Sequence, residues 1–216
     1  MAFGKKQVGP IEVRAMRESK FSVGIVGVSP LIVHKFDEKS RKQMLEKQVN
    51  GKKQAGQREG RDVEAEYEGS FYRLADGAPG FPAAGFKKAC VSACRYASGL
   101  PMTQARGAFF VMGDPSSQGE LVRIIGEPQM RADMCRLENG VPMERFRPEF
   151  REWSATLVIR HNPDFITAQS IINLLSIAGM NVGVGERRPE REGASFGQFR
   201  IVGDDEPKVP AAKKRR

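Results

Sequence analysis

The sequence predicts an α+β fold of the ferredoxin-like kind, and three observations carry that reading. A β-branched run, KFSVGIVGVSPLIV at 20–33, opens the domain. Two amphipathic helical stretches, within 82–97 and 166–178, are separated by strand-like segments, and each hands the chain on to a strand. A glycine-rich stretch then runs into a closing strand, SFGQFRIV at 195–202.

Residues 1–18 are mixed and charged and read as an N-terminal arm. Residues 19–203 read as one domain, and residues 204–216, ending KVPAAKKRR, as a disordered basic tail. In the opening strand Phe21, Val23 and Ile25 alternate onto one face, while Gly24 and Gly27 mark close approach of another backbone. Residues 34–66 change character. They are polar and lysine-rich, with Gly51, Gly56 and Gly60 dispersed through them, and they read as an insertion with a short helix at 38–49. This insertion is either a solvated loop or a contact for nucleic acid. YEGSFYRL at 67–74 predicts a short strand. Gly80 and Pro82 introduce the first long helix, whose buried face is Phe86, Ala89, Cys90, Ala93, Cys94 and Ala97. Residues 107–126 read as a hairpin turning at 115–119. Residues 129–137 form another strand, and Asn139–Gly140 is a turn signal. RFRPEFREW at 145–153 interleaves Arg145, Arg147 and Arg151 with aromatics; Trp153 belongs to the core. SATLVIR at 154–160 is a strand. The helix at 166–178 buries Ile171, Leu174, Leu175 and Ala178, with Thr167 as its cap and Gly179 as its stop.

Composition narrows the function classes. The formal net charge is +9 and the pI about 9.7, which favours an acidic partner, nucleic acid first and an anionic membrane surface second. No apolar run approaches the ~18 residues of a membrane span, and MAFGKKQVG has no signal-peptide core, so a cytoplasmic protein is expected. Cys90, Cys94 and Cys135 form no disulfide framework. Cys90 and Cys94 share a helix face but have no matching Cys/His pair elsewhere, so buried apolar thiols are expected and no metal or other cofactor.

The candidate site lies in GMNVGVGERRPEREGASFGQF at 179–199. Gly183, Gly185 and Gly193 would expose backbone N–H groups and admit a phosphate where a Cβ would block it. Arg187, Arg188 and Arg191 would add bidentate charge. The stretch follows a helix instead of opening one, so it is not a dinucleotide fingerprint. Lys87 and Lys88 sit in the first turn of their helix, against its dipole, which suits an anion bound near that end. With Arg95 they would extend the track.

This glycine-rich stretch resembles the C-terminal glycine-rich loop of the RAMP superfamily, the repeat-associated proteins of CRISPR systems. GFPAAGFKKACVSACR is similar to the opening of the first helix in RAMP backbone subunits, and the strand at 20–33 to the first strand of that fold. Together these stretches cover about a third of the chain. The resemblance implies a modified RNA-recognition-motif core with insertions, the 34–66 segment standing where a finger-like insertion grips a neighbour or the nucleic acid. It implies binding along single-stranded RNA or DNA, largely independent of sequence, as a homo-oligomer or filament. A stand-alone relative encoded by a phage or mobile element is equally compatible, because the strands at 107–137 depart from the pattern. Some backbone subunits use an aspartate in this region for metal-dependent RNA cleavage. Asp37 is the matching catalytic candidate, with Mg²⁺ or Mn²⁺ as cofactor, and a helix cap is its simpler role. A phage structural or assembly protein, its basic loop serving subunit contacts, is the third reading.

Overall fold

The computed structural model describes residues 15–36, 45, 61–136 and 142–203. The expectations for Asp37 and most of the insertion, for the Asn139–Gly140 turn and for the basic tail fall outside those residues.

The fold is α+β. Its centre is a four-stranded antiparallel sheet made of β1 (Ser19–Gly27), β5 (Phe109–Met112), β9 (Ser154–His161) and β10 (Phe199–Ile201), in the spatial order β10-β1-β9-β5. Numbered by appearance in the chain, these strands lie fourth–first–third–second. The alternation in β1 holds. Val23 and Ile25 are buried and pair with Leu157 and Ala155, while Ser22 and Thr156 face outward. Two helices cover the inner face: α2 (Ala83–Ala93) and α4 (Ala168–Ile177). Phe86, Ala89, Cys90 and Ala93 of α2 are buried against it, as are Ile171, Leu174 and Leu175 of α4. Thr167 caps α4, its Oγ1 accepting from the Ser170 N–H at 3.2 Å. Cys90 and Cys94 are buried free thiols, and burial pushes the Cys90 thiol up to about 12.

Two smaller sheets are inserted into this frame. One holds β2 (Leu31–Ile32), β7 (Pro128–Arg136) and β8 (Pro142–Phe150), in the order β2-β8-β7. The other holds β3 (Tyr72–Arg73), β4 (Pro79–Pro82) and β6 (Leu121–Arg123), in the order β3-β4-β6. Trp153 joins the layers: it is buried, and its indole donates to the Ser29 carbonyl at 2.9 Å. A Cβ on Gly27 would lie 2.2 Å from that indole nitrogen, so what approaches this glycine is a side chain and not the backbone expected of it.

The opening run breaks at 28–30, as Pro30 within it predicts, giving β1 and β2 in different sheets, because Pro30 cannot donate to a ladder. Three local expectations are corrected. Residues 63–69 form a helix, α1 (Val63–Gly69), capped by Asp62 through the Ala65 N–H, so only Tyr72–Arg73 of the expected strand at 67–74 is extended. The 107–126 segment is not a hairpin. Residues 102–108 form a short helix, α3 (Met102–Ala108); β5 then pairs with β9 and β6 with β4. The turn does close, Gly113 N–H donating to Gly119 O at 3.1 Å, but the strands part beyond it. Finally, Gly179 does not stop α4. A π-helical turn, Ala178–Val182, extends it, and the chain leaves the helix at Gly183, φ +69°. Gly179 is instead a packing glycine, since a Cβ there would meet the Phe199 carbonyl at 2.0 Å.

Candidate nucleic-acid interface

The start of α2 is marked by what it lacks. Pro82 occupies the cap with no side-chain acceptor, and the first turn carries no acidic residue. Ala83 N–H is satisfied by Glu120 O at 2.8 Å. Above this turn lies a cavity of about 720 Å³, walled by Lys88 and Arg106 on one side and Gly185, Glu186 and Arg188 on the other. A second cavity, of about 810 Å³, shares Tyr72, Pro82, Ala84 and Lys87 with the first and continues to the 116–121 loop, with Lys35 and Arg73 on its walls. Lys88 and Arg106 are exposed, and neither forms an ion pair among the described residues.

Lys87 behaves differently from the expectation. Its ammonium turns inward and donates to the Ala105 carbonyl at 2.6 Å and to that of Phe109, 3.4 Å from the Phe109 ring centroid. It therefore closes the C-terminal end of α3, where a cation satisfies otherwise orphaned carbonyls. Burial pushes it down to about 8. Lys87 and Lys88 lie in the second turn of α2 and not in the first, and the anion expected to relieve Lys87 is replaced by the chain's own carbonyls.

The glycine-rich stretch is likewise more self-contained than composition suggests. Gly183, Gly185 and Gly193 all have positive φ, +69°, +80° and +66°. The expected cradle of free N–H groups is absent at Gly183 and Gly193, because the loop spends those groups internally. Gly183 donates to Ala178, Val184 to Gly197, Glu186 to Ile32, Gly193 to Pro189 and Gly197 to Pro30. Gly183 and Gly185 are needed for backbone packing, a Cβ on Gly185 sitting 2.5 Å from the Ile32 carbonyl, whereas Gly193 faces open space. Arg187 pairs with Asp133 at 3.2 Å and Glu192 at 3.5 Å, and Arg188 reaches Gly185 O at 3.2 Å and Glu190 at 3.7 Å. Arg95 pairs with Glu190 at 3.2 Å, so that carboxylate ties α2 to the loop. Arg191 is exposed on α5 (Pro189–Glu192), with no ion pair among the described residues.

Sequence reasoning missed the ionic hub beneath the loop. Arg147, expected to meet phosphates beside stacking aromatics, has a side chain only 3% exposed and bonds Asp133 at 2.7 Å and Glu186 at 3.2 Å. Arg131 pairs with the same Asp133 at 2.8 Å and with Glu149 at 2.9 Å. Burial raises the Asp133 carboxyl, but the Arg131 hydrogen bond and the charges of Arg131 and Arg147 outweigh it and hold it below its ordinary 3.8. The signal was period-2 charge: Arg131 and Asp133 face Arg147 and Arg145 in register. His34, also unassigned from sequence, lines the first cavity. Burial holds its imidazole below 6.5, with Glu186 pulling upward and Arg147 and Arg145 downward.

Among the described residues no group of three His, Cys, Asp or Glu side chains is placed to hold a metal. No helix among them is long and apolar enough to cross a membrane. No protein-family model matches the chain, and no curated protein matches it. Among solved structures the chain is similar to Cmr6 from Pyrococcus furiosus, at 9% identity and a TM-score of 0.45, covering 87% of this chain and 100% of that one. It is also similar to a chain of a CRISPR RNA-guided surveillance complex, at 10% identity and a TM-score of 0.36, covering 88% of this chain and 72% of that one.

Proposed function

We propose that this protein binds single-stranded RNA or DNA along the two joined cavities at the start of α2, gripping the phosphate backbone with little regard to sequence. The observation that carries the reading is the pairing of an uncapped, carboxylate-free helix start with a long groove edged by Lys35, Lys88, Arg106 and Arg188. Arg191 extends the basic rim. Arg95, Arg187 and Arg188 take part by exchange. Each is at least 30% exposed in its side chain; Arg95 and Arg188 hold the partly buried Glu190, and Arg187 holds the exposed Glu192 besides Asp133. Such pairs are worth about 0–1 kcal/mol, so a phosphate can displace Glu190 or Glu192. Lys87 and the glycines act indirectly, by holding the groove's shape.

The strand order fourth–first–third–second supports reading the central sheet as ferredoxin-like, and with it the RAMP-type kinship suggested by the motifs. On that reading the chain assembles along the strand as a homo-oligomer. The test is anisotropy titration of labelled oligouridine and oligothymidine over a range of salt. Engagement of Lys88, Arg106, Arg188 and Arg191 gives a log–log slope near −3, at ~0.7 per neutralised phosphate. Salt-independent or absent binding ends the proposal. Loss of intact oligouridine in Mg²⁺ or Mn²⁺, abolished by Asp37→Ala, would turn it into a ribonuclease.

A further inference from the structure

The second cavity has features that backbone binding does not use. Phe110 stands on β5, an edge strand of the central sheet, and is 45% exposed. Its ring is flanked by cations: the Arg160 guanidinium is 5.3 Å from the centroid and the Lys87 ammonium 5.6 Å. Phe110 forms one wall of the cavity. Tyr72 lies on another, half-buried, and its phenol is held protonated by burial and by the charge of Glu186. The turn carrying Ser116 and Gln118 also lines the cavity. Gln118 holds φ +57°, the left-handed region that a non-glycine residue enters at a cost. Its carboxamide and the Ser116 hydroxyl form no hydrogen bond among the described residues, whereas the neighbouring Ser117 hydroxyl is committed to Asp114 and Leu121. The volume of about 810 Å³ suits a ligand of nucleotide size.

We infer that this cavity is a slot for one unstacked nucleobase of the bound strand. The base lies against the Phe110 ring, with Tyr72 on the other side of the slot. Gln118 and Ser116 offer an amide and a hydroxyl to its edge, and Lys35 and Lys88 hold the phosphates on either side. Aromatic faces with cations beside them and polar groups at the rim are what an extruded base requires. The inference rests on the groove reading above and adds to it a contact that ignores charge and needs a base. Because the edge contacts are few, preference among the four bases is small.

The test compares two labelled single strands of equal length: oligothymidine, and an abasic strand carrying the same phosphates. The protein binds the base-bearing strand roughly tenfold more tightly, the worth of one stacked base. Phe110→Ala binds both strands alike, at the abasic affinity. Phe110→Trp keeps the tenfold preference, which shows that an aromatic face is needed and guards against a folding artefact. Lys88→Glu weakens both strands by the same factor. If Phe110→Ala holds oligothymidine as tightly as the parent protein, the slot is wrong and the groove reading stands. If neither strand binds the parent protein, both fall. If Phe110→Ala alters only self-association measured by sedimentation, the cavity receives protein and not a base.

Discussion

Arg147 is the residue on which the loop's position depends. It lies in the interior between two carboxylates on different elements, Asp133 of β7 and Glu186 of the glycine loop, and its Nε has no hydrogen-bond partner among the described residues. A buried pair adds little net stability, but removing one member leaves charge without compensation. Arg147→Ala is therefore expected to destabilise the protein by ~3–5 kcal/mol in urea unfolding, with the loop side chains most affected. The pH dependence follows from Asp133. Its folded carboxyl sits below the unfolded value, so its contribution is fully present above about 3.8 and is lost as pH falls through the lower folded value. Lys87 has the opposite charge and a different window. Its folded value of about 8 lies below the ordinary 10.5, so between the two the unfolded chain binds more protons and stability rises with pH. The Cys90 thiol beside it, raised from 9.0 to about 12, pulls stability down as pH rises above 9.0. The contrast with Lys87→Met isolates the lysine: across about 8 to 10.5 the parent protein gains stability relative to the variant in pH-stepped thermal melts. A constant difference would show that the ammonium stays charged between the Ala105 and Phe109 carbonyls.

At the scale of elements, the glycine loop separates two kinds of glycine. Gly185 and Gly193 share the left-handed backbone, but a Cβ at Gly185 meets the Ile32 carbonyl and Leu31, while Gly193 faces open space. Gly193→Ala should cost only the backbone strain, roughly 1 kcal/mol. Gly185→Ala must also displace β2, so a loss of at least ~2 kcal/mol is expected. Equal effects in denaturant unfolding would contradict the packing account. The same loop shows what could be read from sequence. The preceding helix and its Thr167 cap follow local rules, as does the buried face of α2, and these appeared as expected. The partners of the loop did not, because they come from distant segments: Ile32, Pro30 and Asp133. The 107–126 segment teaches the same lesson. Its turn closes locally, but β5 finds β9 and β6 finds β4, and nothing within those residues encodes that choice. Lys87 was misread because helical periodicity marks the face opposite the core, not the carbonyls that α3 brings up beside it.

For the whole molecule the issue is whether a net charge of +9 acts diffusely or through one groove. A diffuse field attracts any polyanion, and every cation then contributes alike. The ion pairs argue otherwise. Much of the arginine is neutralised in place, by Asp133, Glu149, Glu190 and Asp114 among others, whereas Lys88 and Arg106 stand at the first cavity with no such partner among the described residues. Charge reversal at those two positions should therefore cost far more than reversal elsewhere. Lys88→Glu and Arg106→Glu are each expected to weaken single-strand binding roughly tenfold at low salt and to lower the salt slope by about 0.7, the signature of a lost phosphate contact on a single strand. Arg200→Glu makes the same change in net charge on β10, the edge of the central sheet opposite β5. It should shift affinity by less than about twofold, since Arg200 lines neither cavity and salt screens its field within ~10 Å. Titrations of the three variants in parallel, each checked for a native melting profile, decide the matter. If Arg200→Glu weakens binding as much as the groove variants, the charge works as a cloud, and the cavities at the start of α2 lose their claim to the strand.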